Sequence, residues 1–141
     1  MDLTLAIVKP DAVGRGMAGK IIGHLEEKGF RIRALRMMRL TEAQAQEFYA
    51  VHRERPFYEP LVRFMTSGPA IPVVLQREDA VGALREAIGA TDPKEAAAGT
   101  VRALYAETKE RNAIHASDSL ENAVREIAFF FPTSDLLLTA R

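Results

Sequence analysis

The chain has 141 residues, a length that suits one domain, and a domain of this size buries roughly two-thirds of the surface its unfolded chain exposes. Its 19 Lys and Arg balance 19 Asp and Glu, so no general attraction to nucleic acid or acidic membrane is expected, and any anion site must be local. The absence of Cys excludes disulfides, thiol nucleophiles and Cys-based zinc sites together, which fits a cytoplasmic protein.

The opening MDLTLAIVKPD carries neither a basic leader region nor a long apolar one, and no apolar run approaches the roughly 18 residues of a membrane span. The chain therefore reads as soluble and unexported. Leu3 to Val8 is a β-prone run stopped at Lys9-Pro10-Asp11, where proline removes a backbone donor. Met17 to Lys28 sets Ile21, Ile22 and Leu25 on one helical face, and Gly29 ends it. Phe30, Ile32 and Ala34 alternate with Arg31 and Arg33, and the parity then shifts at Leu35 and Met37, which predicts a strand with a bulge. Thr41 and Gln44 form a capping box for a helix running toward the break at Pro56. Pro60 to Met65 is a further helical piece, and Ser67-Gly68-Pro69 ends it. Ala70 to Gln76 reads as a strand, and Asp79 to Gly89 as a helix with Val81, Leu84 and Ile88 inward. Ala90 to Thr100 is a loop of small residues, followed by a short helix from Val101, a final strand near Ile114, and a helix with Leu120, Val124, Ile127 and Phe130 inward. This order predicts an α/β sandwich with one sheet.

Two phosphate-binding patterns overlap in GRGMAGKI, Gly14 to Ile21. Each fails in context. A dinucleotide fingerprint requires an acid about 20 residues on, but ALRMMRL supplies arginines and no acid before Glu42. A mononucleotide loop requires Ser or Thr after its Lys to reach magnesium, and position 21 is Ile. The stretch reads as a turn and a helix start.

RNAIHASDS, Arg111 to Ser119, carries more. Histidine is the side chain that serves as a neutral nucleophile or base near pH 7, and there are three in the chain. His24 falls among polar residues and His52 near a helix end. His115 lies among small polar residues that leave its imidazole accessible, although a structural histidine would also suit that setting.

VKPDAVGRG, YAVHRERPFY, MTSGP, LREAIGATDP, GTVRALY and NAIHASDS stand in the order and spacing of the nucleoside diphosphate kinases. The chain resembles that family from Leu3 to Phe131. The family's N-x-x-H-G-S-D is Asn112 to Asp118 here, with Ala116 in place of Gly. Its R-[GA]-[DE]-[FY] is Arg102-Ala103-Leu104-Tyr105, with Leu104 in place of an acid.

The resemblance implies a single domain over residues 1–141, with a ferredoxin-like βαββαβ fold: a four-stranded antiparallel sheet covered by helices. It implies transfer of the terminal phosphate of a nucleoside triphosphate to a nucleoside diphosphate through a phosphohistidine on His115. Lys9 matches the lysine near the transferred phosphate and the sugar, and Tyr49 the tyrosine beside that phosphate. Arg85, Thr91 and Arg102 match the grip on the outer phosphates, Asn112 the ribose contact, and Phe57 the aromatic on which the base stacks. Glu126, with Ser117 nearby, matches the carboxylate that orients the imidazole. Magnesium would bridge the nucleotide phosphates, with no metal ligand from the protein. A homo-oligomer is implied, a tetramer being favoured over a hexamer by the short tail PTSDLLLTAR. No membrane and no obligatory nucleic acid are expected as partners.

Taken singly, each of these residues has a plainer reading: Lys9 as a solvated strand end, Arg85 and Arg102 as surface charges, Phe57 as core, Thr91 as a turn residue, Glu126 as helix surface. Two other classes of function stand against the transfer reading. One is a kinase of another type with a separate acceptor. The other is a catalytically weak module binding nucleotide or single-stranded nucleic acid.

Overall fold

A computed structural model describes residues 2–137. Residues 138–141, the end of the tail from which a tetramer was expected, lie outside the described residues.

The first strand, β1 (Asp2–Val8), is central. Its residues point alternately to two faces that are both covered, so Leu5 to Val8 is continuously apolar rather than alternating. Leu5 and Ile7 enter one core cluster, Ala6 and Val8 the other, all with no exposed surface. Burying a side chain such as Leu5 or Ile7 contributes roughly 1.5–3 kcal/mol. A short helix, α1 (Pro10–Gly14), follows with proline in its first turn, where the missing N–H costs nothing. Helix α2 (Ala18–Glu27) then buries Ile21 and Leu25 and stops before Gly29, whose φ of 92° suits the helix exit.

Strand β2 (Arg31–Leu35) contains the expected bulge, but earlier than its pattern suggested. Ile32 pairs with Leu75 and Ala34 with Val74, so Arg33 is the extra residue. Ala34 consequently turns to the face opposite Ile32, and Leu35 and Met37 are left exposed. Arg33 is buried, and it donates to Gln76 Oε1 at 2.7 Å and to the Leu137 carbonyl at 3.0 Å.

Helix α3 (Glu42–Phe48) opens on the Thr41–Gln44 capping box, with both reciprocal hydrogen bonds formed. It passes into a 3₁₀ turn, Ala50–His52, and then α4 (Tyr58–Met65). Strand β3 (Ile71–Arg77) is followed by α5 (Ala80–Ile88), which turns Ala80, Leu84 and Ile88 inward and leaves Val81 half-buried. Helix α6 (Val101–Tyr105), strand β4 (Ile114–Ala116) and helix α7 (Leu120–Phe130) complete the chain, apart from a 3₁₀ turn at Thr133–Asp135.

The sheet order is β2-β3-β1-β4 with every pair antiparallel, which is the ferredoxin-like βαββαβ arrangement expected. Helices α2 and α5 cover one face, and α3, α4 and α7 the other. Helix α7 corrects one expectation. Leu120 and Val124 are 55% and 71% exposed, and the inward stripe is Ala123, Glu126, Ile127 and Phe130. The helix is rotated so that a carboxylate, rather than a leucine, reaches the sheet.

Candidate active site

Antiparallel partners share a face, and Ile7 pairs with His115. That register turns the imidazole toward α3 and α7, where it lies edge-on to Phe48 at 5.4 Å and Tyr49 at 6.2 Å. On this face Glu126 of α7 meets it, with 2.7 Å between His115 Nε2 and Glu126 Oε1. The same oxygen accepts from the buried Ser117 hydroxyl at 2.8 Å. A carboxylate only accepts, so Nε2 carries the ring proton and Nδ1 keeps its lone pair. Burial by itself pushes the Glu126 carboxyl up, but the His115 contact, the Ser117 hydrogen bond and Arg125 bring it below the usual carboxylate range. It is therefore ionised at neutral pH.

Lys9 approaches from the end of β1. It is 8% exposed, and its Nζ donates to Asn112 Oδ1 at 2.8 Å. Asn112 in turn donates to the Thr91 carbonyl at 3.3 Å, so the ribose and phosphate candidates are tied to one another. Burial, then the Arg102 charge, lowers the Lys9 pKa to about 8 against the opposing pull of Asp11. Arg102 is buried on α6. Its guanidinium donates to the carbonyls of Ile114 at 2.7 Å, Gly89 at 3.0 Å and Asn112 at 3.4 Å. Burial, with the Arg85 charge second, lowers its pKa to about 10, so it stays cationic at neutral pH. Gly89 must be glycine here. Its φ is 87°, and a Cβ would stand 2.5 Å from Thr100 Oγ1.

Lys9, Tyr49, Phe57, Arg85, Thr91, Arg102, Asn112, His115 and Glu126 line one cleft of about 470 Å³. Ser117 lies beneath it, bonded to Glu126. The Tyr49 hydroxyl is buried without a hydrogen-bond partner, and burial followed by the Glu126 charge raises its pKa well above the ordinary phenol value. Phe57 is half exposed at the mouth, its ring 5.2 Å from that of His52. Beyond Phe57 the cleft continues into a cavity of about 560 Å³ that shares Lys9, Thr91 and Leu61 and is walled by Phe64, Lys109 and Glu110.

Sequence reasoning missed several neighbours. Asp118, Arg125 and His52 also line the cleft, and buried Asp11 bonds the backbone at Ala113. Asp11 and Asp118 stood inside the quoted VKPDAV and HASDS runs, yet acids in turns carry no signal of their own. Lys109 and Glu110 meet Phe57 only through tertiary contact.

Neither departure from the family pattern disturbs this geometry. Ala116 has ordinary strand backbone with its methyl in the core, and the left-handed residue is Ala113, with φ 74°. Leu104 is exposed.

The glycine stretch stays outside the cleft. Arg15 donates to the Tyr105 carbonyl and pairs with Glu107 at 3.5 Å, which ties this turn to the loop after α6. Lys20 is exposed on α2. Lys20→Ala should therefore change kcat/KM less than about threefold, whereas loss of a phosphate clamp costs on the order of a hundredfold or more. Steady-state kinetics of that variant decide between them.

An imidazole held by a carboxylate in one cleft with Lys9, Arg85 and Arg102, opening past Phe57 into a partly apolar extension, suits a phosphate-transferring enzyme that takes nucleotides. The family model for nucleoside diphosphate kinase matches residues 2–136. The chain is 55% identical over 137 residues to the nucleoside diphosphate kinase of Chlorobium chlorochromatii, covering 97% of this chain and 98% of that one. The nucleoside diphosphate kinase of Aquifex aeolicus superposes with a TM-score of 0.94 at 50% identity, covering 96% and 98% of the two chains. That of Halobacterium salinarum, solved in complex with CDP, gives 0.91 at 42% identity, covering 96% and 90%. The chain belongs to the nucleoside diphosphate kinase family.

Proposed function

We propose that this protein, folded as one domain, moves the terminal phosphate of a nucleoside triphosphate to a nucleoside diphosphate in two half-reactions at one cleft, maintaining cellular triphosphate and deoxynucleoside triphosphate pools. In the first, His115 Nδ1 attacks the terminal phosphorus. The N–P bond forms as the bridging P–O bond breaks, and the electron pair leaves on the diphosphate. In the second, a terminal oxygen of the acceptor diphosphate attacks, and the N–P bond breaks. The observation that carries this reading is the Nε2 contact with Glu126, which leaves Nδ1 as the nucleophile and stabilises the positive ring that forms. Phosphoryl transfer is largely a matter of positioning and charge. In this reading Lys9, Arg85, Arg102 and Thr91 hold the phosphates, Tyr49 borders the moving group, and Asn112 with Lys9 holds the ribose. Ser117 and Glu126 orient the imidazole.

Magnesium belongs to the substrate in this scheme. Among the described residues no cluster of three or more His, Cys, Asp or Glu could hold a metal, and of the two carboxylates lining the cleft, Glu126 is engaged by His115. Asp118 is held in its ionised form, chiefly by the Asn122 hydrogen bond, and a lone carboxylate would leave most of an octahedral Mg²⁺ shell to nucleotide phosphates and water. The donor set fits an ion carried on nucleotide phosphates, where it neutralises charge.

Incubation with magnesium and γ-labelled ATP should leave acid-labile, alkali-stable label that is surrendered to added diphosphate. Initial rates at varied donor and acceptor should give parallel double-reciprocal lines. Acid-stable label or intersecting lines would overturn the mechanism.

Phe57 offers a ring face to the base, and stacking tolerates every base. Purine and pyrimidine diphosphates should all serve, with differences within about tenfold in kcat/KM. Strict dependence on one base in a substrate panel would instead assign base reading to Lys109 and Glu110 at the far wall.

The exposed apolar side chains of Leu35 on the edge strand, of Met37 just after it, and of Leu120 and Val124 on α7, support a homo-oligomer, and we favour a tetramer over a hexamer. Among the described residues no helix is long and apolar enough to cross a membrane, and a Cys-free chain suits the cytoplasm.

A further inference from the structure

We propose that Asp11 is a positioning residue for the transfer cleft: one carboxylate oxygen pins the left-handed backbone before His115, and the other stays buried without a hydrogen-bond partner two positions from Lys9. The proposal rests on the transfer reading above. Asp11 is 3% exposed, in the first turn of a five-residue helix. A carboxylate so placed is costly unless its charge is used. One oxygen accepts from the Ala113 N–H at 3.1 Å, and the other is buried with no hydrogen-bond partner. The Lys9 N–H meets the Ala113 carbonyl at 2.9 Å. Both polar backbone groups of Ala113 are thus held by the corner between β1 and α1. Ala113 is a non-glycine residue at φ 74°, a conformation that persists only when its surroundings impose it. Two residues later the chain presents His115, and Asn112 just before it accepts from Lys9.

An uncharged acceptor would satisfy the Ala113 N–H equally well, so the pin alone does not account for a carboxylate. The charge has a use beside it. Lys9 shares its cleft with Arg102 of α6, Arg85 of α5, Arg125 and Glu126 of α7, His115 of β4, Tyr49 and His52 after α3, and Asp118, and the adjoining cavity adds Lys109 and Glu110. Glu126 is engaged by His115 and Ser117, and Asp118 by Asn122. Burial and Arg102 favour the neutral amine, and Asp11 is the neighbour that opposes them. The corner therefore sets the position of the lysine and of the nucleophile's strand through one side chain.

The sign follows directly. Lys9 serves as a cation, so activity falls as pH rises through its pKa, and removing a negative neighbour moves that fall toward acid. The test is kcat/KM from pH 6 to 9.5, with MgATP as donor and dTDP as acceptor, for wild type, Asp11→Asn and Asp11→Glu. Asn keeps an acceptor for Ala113 and loses the charge. Its alkaline limb should move about one pH unit toward acid, a deficit of about fivefold at pH 8 and less than about twofold at pH 6.5. Glu keeps the charge and misplaces the pin, so its limb should stay with the wild type while its melting temperature falls. The pH at which the Lys9 amine becomes reactive toward an acylating reagent, read by mass spectrometry, should follow the same order. If Asn prevents folding, Asp11→Ser carries the same expectation. An Asp11→Asn profile superimposable on wild type, or lowered equally at every pH, overturns the proposal. Wild type that exchanges no phosphate overturns the transfer reading instead, and the amine titration still judges Asp11.

Discussion

Alanine at position 115 is expected to abolish the covalent intermediate and to lower turnover by more than about a thousandfold. No other group stands ready to replace the imidazole. The chain has no Cys, the two neighbouring serine hydroxyls are committed, Ser117 to Glu126 and Ser119 to the N–H of Asn122 at the start of α7, and the Tyr49 phenol is kept protonated by burial and then by the Glu126 charge. His52 also lines the cleft, but it packs on Phe57 near the mouth, and among the described residues no carboxylate is bonded to its ring. His52→Ala should therefore keep the label that His115→Ala loses. The fold should survive the change, because the His115 side chain retains 18% of its exposure and Glu126 keeps its Ser117 partner. Label uptake from γ-labelled ATP, measured beside thermal melting of both variants, provides the check. Full labelling of His115→Ala would place the acceptor elsewhere.

Arg102→Ala is expected to act on stability and activity together. The guanidinium donates to three carbonyls, on β4, just before β4, and at the end of α5. The Asn112 carbonyl keeps the Ile114 N–H at 2.9 Å, but removal leaves the Ile114 and Gly89 carbonyls without the guanidinium inside the protein, at a cost of about 2–4 kcal/mol. For a domain of this length that corresponds to a fall in Tm of roughly 6–12 °C. Loss of a cation beside the phosphates should cost kcat/KM a further 10²-fold or so. Arg102→Lys should rescue neither effect well, since an ammonium cannot fork to three separated oxygens. A melt within a degree of wild type would show that the carbonyls find other donors. A stable but inactive variant would assign Arg102 to substrate alone.

The elements that were legible in the sequence are those whose causes lie within a few residues. The Thr41–Gln44 box closes across three residues, proline ends β1 where its missing N–H ends the ladder, and Gly29 supplies the left-handed exit from α2. The candidate site was legible for a different reason: Lys9, Arg85, Arg102 and His115 stand at the spacings of the family's motifs, and the fold brings them into one cleft. Those spacings say which residues matter and nothing about how they are held.

Tertiary structure decided the rest, because each remaining feature depends on which residues pair across the sheet. The bulge moved to Arg33 because Ile32 and Ala34 must oppose the adjacent Leu75 and Val74. Helix α7 exposes Leu120 and Val124, which its own periodicity turns inward, because Glu126 must reach the imidazole. Asp11 and Ala113 lie 102 positions apart, and only the packing of α1 against the approach to β4 joins them. A one-residue slip between β1 and β4 would leave every local pattern intact and turn His115 to the opposite face of the sheet, away from Glu126, because side chains alternate along a strand.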